Sequence, residues 1–209
     1  MSAADATGAA QLPPPGLPGL DPDWSHLIDV VDAAGITRTF HVLDTGPAVD
    51  QVGTVLCVHG NPTWSYLWRA LLADPPPGWR VVAVDQLGMG YSERIGTTRR
   101  LAERISDLGM LSEALHIDGP VVTVAHDWGG PVSLGWALAH RAQLAGVVLT
   151  NTAVHQPEGA RAPALIRLAG APGMLATVCR NTPTFVRGTT ALSRPRPPRQ
   201  VRDAFAAPY

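Results

Sequence analysis

The sequence predicts a mostly parallel α/β sheet with helices on both faces, and three observations support this. Short continuous apolar runs recur at residues 54–58, 80–84, 120–125 and 146–150. Helical stretches separate them; in residues 100–115, Leu101, Ile105, Leu108, Leu111 and Leu115 fall at spacings of three and four, which makes one apolar face. The runs also end in turn-forming segments rich in glycine, such as His59-Gly60-Asn61-Pro62 and Trp128-Gly129-Gly130. Strands of a parallel sheet are buried on both faces, so they read as unbroken apolar runs and not as alternation.

Along the chain, residues 1–20 combine small residues with proline and read as a flexible leader. Two β-type runs, 27–31 and 37–43, flank Asp32-Ala33-Ala34-Gly35, a hairpin turn. Residues 54–58 form the first buried strand, and residues 65–73 read as a short helix. Residues 80–84 form the second buried strand, followed by Asp85-Gln86-Leu87-Gly88-Met89-Gly90-Tyr91-Ser92. The third, 120–125, runs into His126-Asp127-Trp128-Gly129-Gly130, after which Pro131 opens a helix through residue 140. Proline suits a first helical turn, where its missing N–H would have no partner. Residues 146–150 form the fourth buried strand. The core is expected over residues 21–156; residues 157–209, rich in Pro, Arg, Ala and Thr, read as the start of a helical cap insertion with apolar runs at 164–168 and 174–178.

The chain's 209 residues suffice for one domain with a real core. With 45% hydrophobic and 16% charged residues, disorder of the whole is excluded. With a formal net charge of −1, nothing suggests an electrostatic nucleic-acid binder. Cys57 and Cys179 form no disulfide framework, and Cys57, inside an apolar run, is expected in the core. The first twenty residues lack the pattern of a secretory signal, and no apolar stretch approaches the ~18 residues that span a membrane. A soluble cytoplasmic protein is expected. No metal cluster, phosphate loop or redox motif is present, so no cofactor is implied; Gly88-Met89-Gly90 is too short and wrongly placed for a dinucleotide fingerprint.

The strongest chemical signal is strand, then Ala125-His126-Asp127-Trp128-Gly129-Gly130, then helix. It matches the strand–turn–helix elbow in which the middle residue is a nucleophile. Small residues two positions either side let strand and helix approach, and Ala125 stands where a glycine is usual. The turn thrusts Asp127 out at the carboxyl end of the sheet, where open α/β sheets bind ligands. The helix that follows offers N–H groups and a dipole favouring negative charge. A carboxylate attacking an acyl carbon gives a reactive anhydride, whereas attack at a saturated carbon gives an ordinary ester. Asp at this position therefore suits displacement at an sp³ carbon. The competing reading is that Asp127 merely caps the helix.

The run His59-Gly60-Asn61-Pro62-Thr63-Trp64-Ser65-Tyr66-Leu67-Trp68-Arg69, the segment from Asp85 to Ser92, and His126-Asp127-Trp128-Gly129-Gly130 together resemble the haloalkane dehalogenase-like α/β-hydrolases. The resemblance covers roughly residues 24–155. From Leu17-Pro18-Gly19-Leu20-Asp21-Pro22 to Thr150-Asn151-Thr152-Ala153-Val154-His155 the sequence is most similar, within that group, to the β-lactone decarboxylases of bacterial long-chain olefin biosynthesis. The resemblance implies an α/β-hydrolase fold, here reaching only into the start of the cap. It implies Asp127 as nucleophile, and Trp128 and Asn61 as donors to the departing anion through the indole N–H and the side-chain amide, with the Asn61 backbone N–H helping to line an oxyanion pocket. His59, with Gly60 and Pro62, would support that loop; Asn61 argues against an epoxide hydrolase, which usually carries a bulky apolar residue there. The implied substrate is small and hydrophobic, either a dialkyl β-lactone or, alternatively, a haloalkane. In some bacteria such a domain is fused ahead of a β-lactone synthetase, so a C-terminal fusion or complex with one is implied.

Other residues are expected to be structural. His126 would point away across the elbow, and Asp85 would end a strand and hold the Gly88–Gly90 turn. His26, His41, His116 and His140 have no motif around them, and the Arg-Pro stretch at 194–199 reads as a solvated loop. The family also needs a histidine oriented by an acid. His140 belongs to the helix leaving the elbow, His155 comes too early, and Thr150-Asn151-Thr152 offers no carboxylate. Both members are therefore expected beyond Tyr209, and the 209-residue chain alone is expected to be poorly soluble and inactive. A catalytically incomplete fragment is the rival of a different class.

Overall fold

A computed structural model describes residues 8–154, 159, 167 and 183–209. Six strands form one sheet in the order β1-β2-β4-β3-β5-β6. They are β1 (Ser25–Val31), β2 (Thr37–Asp44), β3 (Gly53–Val58), β4 (Trp79–Val84), β5 (Val121–His126) and β6 (Leu144–Thr150). β4, β3, β5 and β6 run parallel, while β1 and β2 are antiparallel additions on the β4 side. Each helix below returns the chain so that the next strand can run parallel, as such crossovers require.

The hairpin forms where the turn residues place it. Asp32 Oδ1 accepts the N–H groups of Ala34 and Ile36, and Gly35 takes φ 79°, so Val31 pairs with Thr37. Residues 65–73 divide into a 3-10 turn, Ser65–Trp68, and a short α1, Arg69–Ala73, where one continuous helix was expected. α2 spans Leu101–Ala114 and α3 spans Gly129–Ala139, which puts Pro131 third in its helix and not first. Leu108 and Leu111 of α2 pack with Val132, Trp136 and Ala137 of α3 over Val58, Val82 and Ala125 of the sheet. On the second core cluster, Leu72 of α1 packs with Leu43, Cys57 and Val81, and Trp24 and Trp68 lie against them. Cys57 is fully buried, as expected of a small core residue.

Two departures from the sequence reading have physical causes. The leader is pinned from Gly8 onward: Gly8 and Arg94 exchange backbone hydrogen bonds of 3.1 and 2.7 Å, and the Gln11 N–H donates to Tyr91 O. Proline-rich chain loses little entropy on ordering, and Gly8 and Gln11 keep the N–H groups that the prolines lack. β6 is a strand as expected, but it is not buried. It has no strand on its far side among the described residues, and Val147 and Val148 are 38% and 46% exposed.

The chain divides into two compact units, Met1–Pro15 with Gly19–Ala153, and Gly16–Pro18 with Val154–Tyr209. In the second, α4 (Thr184–Leu192) and α5 (Arg199–Ala206) pack together. Arg194 and Arg196 between them are exposed, as expected of a solvated loop, but Arg199, placed in that loop by the sequence reading, begins α5. His155 and Cys179 lie outside the described residues, as do 164–166, Leu168 and 174–178. No helix among the described residues is long and apolar enough to cross a membrane.

Candidate active site

Asp127 sits at the sharp turn between β5 and α3, at φ 52°, a left-handed conformation that L-residues other than glycine seldom adopt. Three main-chain contacts hold it there. The Thr152 hydroxyl donates to Asp127 O at 2.7 Å, the Gly130 N–H donates to the same oxygen at 3.0 Å, and the Asp127 N–H reaches Thr150 O. The turn needs small neighbours for a visible reason. A Cβ on Gly129 would run into Val58 O and His59 O, both backbone atoms that cannot step aside. Ala125, on the strand side of the turn, is fully buried.

The Asp127 side chain does not cap the helix. Trp128 is the residue that precedes α3, and no side chain caps that end. Asp127 Oδ1 instead accepts the backbone N–H of Asn61 at 2.9 Å, from the loop after β3. Strands β3 and β5 are adjacent and parallel, with Val58 opposite Ala125, so the fold brings these two loops together at one end of the sheet. Gly60 is what permits the approach. A Cβ there would meet Asp127 Oδ1, and would lie 2.5 Å from Trp128 N and 2.6 Å from Asp127 Cβ.

The remaining site residues fall around this contact. Asn61 is exposed, Pro62 is half-buried, and Trp128 is 54% exposed beside Asp127. The Asn61 backbone N–H, expected to line an oxyanion pocket, is engaged with the carboxylate itself. His59 is fully buried. Its Nε2 accepts the Gln86 N–H at 3.1 Å, so the proton is on Nδ1, which donates to Gly60 O at 3.0 Å. Desolvation holds the His59 pKa below the ordinary imidazole value, which keeps the ring neutral. Gly60 O also accepts the hydroxyl and the N–H of Thr63, so the loop closes on itself.

Asp85 behaves as a structural residue. Its carboxylate accepts the N–H groups of Ser65 and Tyr91 and meets His41 Nδ1 at 2.8 Å, all buried. Burial pushes the carboxyl pKa up, but His41 and the Tyr91 N–H outweigh it and hold it below the usual range. Gly90 crowds against this carboxylate, at φ 54°. The His41–Asp85 pair links residues 44 apart in sequence, which no local motif announces. Trp64 stacks on Tyr66 at 5.2 Å and meets Tyr91 edge-on at 5.0 Å, so the loop after β3 rests on an aromatic cluster. His140 stacks on Trp136, while His26 and His116 are exposed. His126 Nδ1 is buried and has no hydrogen-bond partner among the described residues. No group of three or more His, Cys, Asp or Glu among the described residues is placed to hold a metal.

Comparison with known proteins agrees with this architecture. The chain is 36% identical over 186 residues to a cis-3-alkyl-4-alkyloxetan-2-one decarboxylase of Xanthomonas campestris pv. campestris, covering 84% of this chain and 60% of that protein. It is 38% identical over 115 residues to haloalkane dehalogenase 2 of Mycobacterium tuberculosis, covering 54% and 38%. The chain thus spans about 60% of the length of the first of these relatives and less of the second. Among solved structures, the haloalkane dehalogenase DpaA of Paraglaciecola agarilytica NO2 superposes with a TM-score of 0.74 at 25% identity, over 97% of this chain and 67% of that one. The model of the α/β-hydrolase fold family matches residues 53–197, from β3 through the elbow and beyond, and the chain belongs to that family.

Proposed function

We propose that this chain carries the nucleophile half of an enzyme that opens a cis-β-lactone with two alkyl substituents and releases an olefin and carbon dioxide. The carrying observation is the state of Asp127. It is held in a left-handed turn, its Oδ1 is fixed by the Asn61 N–H, and its Oδ2 has no hydrogen-bond partner among the described residues. A carboxylate held by one oxygen presents the other for attack. Asp127 Oδ2 attacks the ring carbon that bears the ring oxygen; a C–O bond to Asp127 forms and the ring C–O bond breaks. The freed carboxylate is stabilised by the Trp128 indole N–H and the Asn61 side-chain amide. The C–CO₂ bond then breaks, its electrons form the C=C bond, and Asp127 departs as carboxylate. No water is consumed. His59, Gly60 and Pro62 shape the loop that presents Asn61.

The decarboxylase relative, which is similar over most of this chain, supports this substrate class. A histidine–acid pair and a β-lactone synthetase partner, by fusion or complex, belong to the same proposal. The native polypeptide, supplied with a synthetic dialkyl β-lactone, should release olefin and carbon dioxide. Release of halide from bromoalkanes, with no olefin from lactone, would instead establish the second reading, a hydrolytic haloalkane dehalogenase. That reading is favoured by the 38% identity to a haloalkane dehalogenase over 115 residues.

A further inference from the structure

We propose that Gln86 and Arg104 are positioning residues for the Asp127 carboxylate, acting through His59 and the Gly60–Asn61 backbone. The proposal rests on the reading of Asp127 as nucleophile. Neither residue touches Asp127, but an unbroken chain of hydrogen bonds connects them to it. Arg104, on α2, donates through Nη1 to Gln86 Oε1 at 3.2 Å and to Leu87 O at 3.3 Å. The Gln86 side-chain amide donates to His59 O at 2.5 Å, and the Gln86 main-chain N–H donates to His59 Nε2. His59 Nδ1 donates to Gly60 O, and the next N–H, that of Asn61, binds Asp127 Oδ1.

The surroundings make this chain more than incidental packing. Gln86 is 6% exposed, among Phe40, Val58, Val84, Leu108 and Leu111. A buried amide in such a setting costs stability unless both its donor and its acceptor are used, and an aliphatic residue would fill the place without that cost. Here both ends are used, one on a cation and one on the carbonyl at the head of the loop. The positive charge of Arg104 polarises the amide and strengthens its donation to His59 O. That carbonyl is confined from a second direction, since α3 begins so close to it that Gly129 has no room for a Cβ. The 59–60 peptide is therefore clamped through His59 O, His59 Nδ1 holds the carbonyl of the 60–61 peptide, and rotating that second peptide would carry the Asn61 N–H away from Oδ1. Fixing one carboxylate oxygen fixes the direction of the other.

The test uses the native polypeptide and four variants. Gln86→Met keeps the length and removes the amide. Gln86→Glu keeps an acceptor for Arg104 but turns a carboxylate oxygen towards His59 O. Arg104→Met removes the cation. Arg80→Met is the control; it breaks the Asp44–Arg80 pair at the other end of β4, remote from the loop. In single turnover, Gln86→Met and Gln86→Glu should each slow esterification of Asp127 about tenfold, with KM within about twofold, and Arg104→Met should slow it about threefold. Arg80→Met should lower the melting temperature and leave esterification unchanged. Amide exchange at Asn61 should accelerate in both Gln86 variants and not in Arg80→Met. Wild-type esterification in Gln86→Glu, or a change confined to KM, overturns the proposal. So does an effect that follows only the folded fraction. If the wild type forms no ester, the nucleophile reading fails by itself, and unchanged Asn61 exchange in Gln86→Met then overturns the positioning role independently.

Discussion

Gly60→Ala tests the contact between the two loops in the smallest possible way. The added Cβ would sit 2.5 Å from Trp128 N and 2.6 Å from Asp127 Cβ. Ordinary contact between such atoms is about 3.5 Å, so roughly 1 Å must be found by moving one loop off the other. Trp128 N belongs to the start of α3, which is packed against the β3 backbone through Gly129, so the 59–61 loop is the side that yields. A displacement of about 1 Å stretches the 2.9 Å bond from the Asn61 N–H to Asp127 Oδ1 beyond hydrogen-bond range. A hydrogen bond to a charged group contributes about 1.5–3 kcal/mol, and this one, near the surface, sits at the lower end. Misplacement of a reacting group by ~1 Å costs on the order of 10²-fold in rate. The variant of the native polypeptide should therefore lose about 10²-fold in the rate of Asp127 esterification and only about 1–3 kcal/mol in stability. Rapid-quench mass spectrometry and urea denaturation measure the two quantities. A variant that esterifies at the wild-type rate would refute the account of how Asp127 is held.

Other perturbations read other parts of the structure. Asp127→Ala should abolish turnover, by roughly 10⁴-fold or more, while thermal melting moves little, because one near-surface hydrogen bond is all its side chain contributes; substantial residual lactone turnover would remove Asp127 from the mechanism. Gly129→Ala should destabilise the fold by about 1–3 kcal/mol or more, since its Cβ meets two backbone carbonyls, and a melting curve matching wild type would contradict that packing. Asp107, buried on α2, has its pKa pushed up from 3.8 to about 6 by desolvation, against the pull of Arg99 and Arg104. The folded state therefore binds more protons than the unfolded chain between these values, and stability falls as pH rises through that window. Asp107→Asn should accordingly raise stability by about 1–3 kcal/mol above pH ~6 and have little effect below pH ~4. Melting curves at both pH values decide it, and a loss of stability at neutral pH would show that the Arg99 contact dominates.

The elements that were legible in the sequence are those whose signal is local. β3, β4 and β5 are continuous apolar runs, α2 carries one apolar face, and the Asp32–Gly35 turn holds itself through its own aspartate. The elbow was legible because a strand, a small-residue turn and a helix must follow one another closely for it to exist. What stayed hidden depends on distant partners. The role of the Asn61 N–H as a tie to Asp127 spans 66 positions, and Gln86 reads as a plain turn residue until His59 and Arg104 are seen on either side of it. The pinning of the leader to Tyr91 and Arg94 is a backbone event that composition does not reveal. The apolar run of β6 announced a strand, and its exposure follows from its having no strand on its far side among the described residues.

Quenching the native polypeptide during turnover of a dialkyl β-lactone and mapping the adduct by mass spectrometry tests Asp127 as the nucleophile directly. A transient ester should appear on the peptide containing Asp127, heavier by the mass of the intact lactone, with no oxygen from labelled water entering Asp127 as the ester collapses. Absence of any adduct on Asp127 while olefin is being released would contradict it.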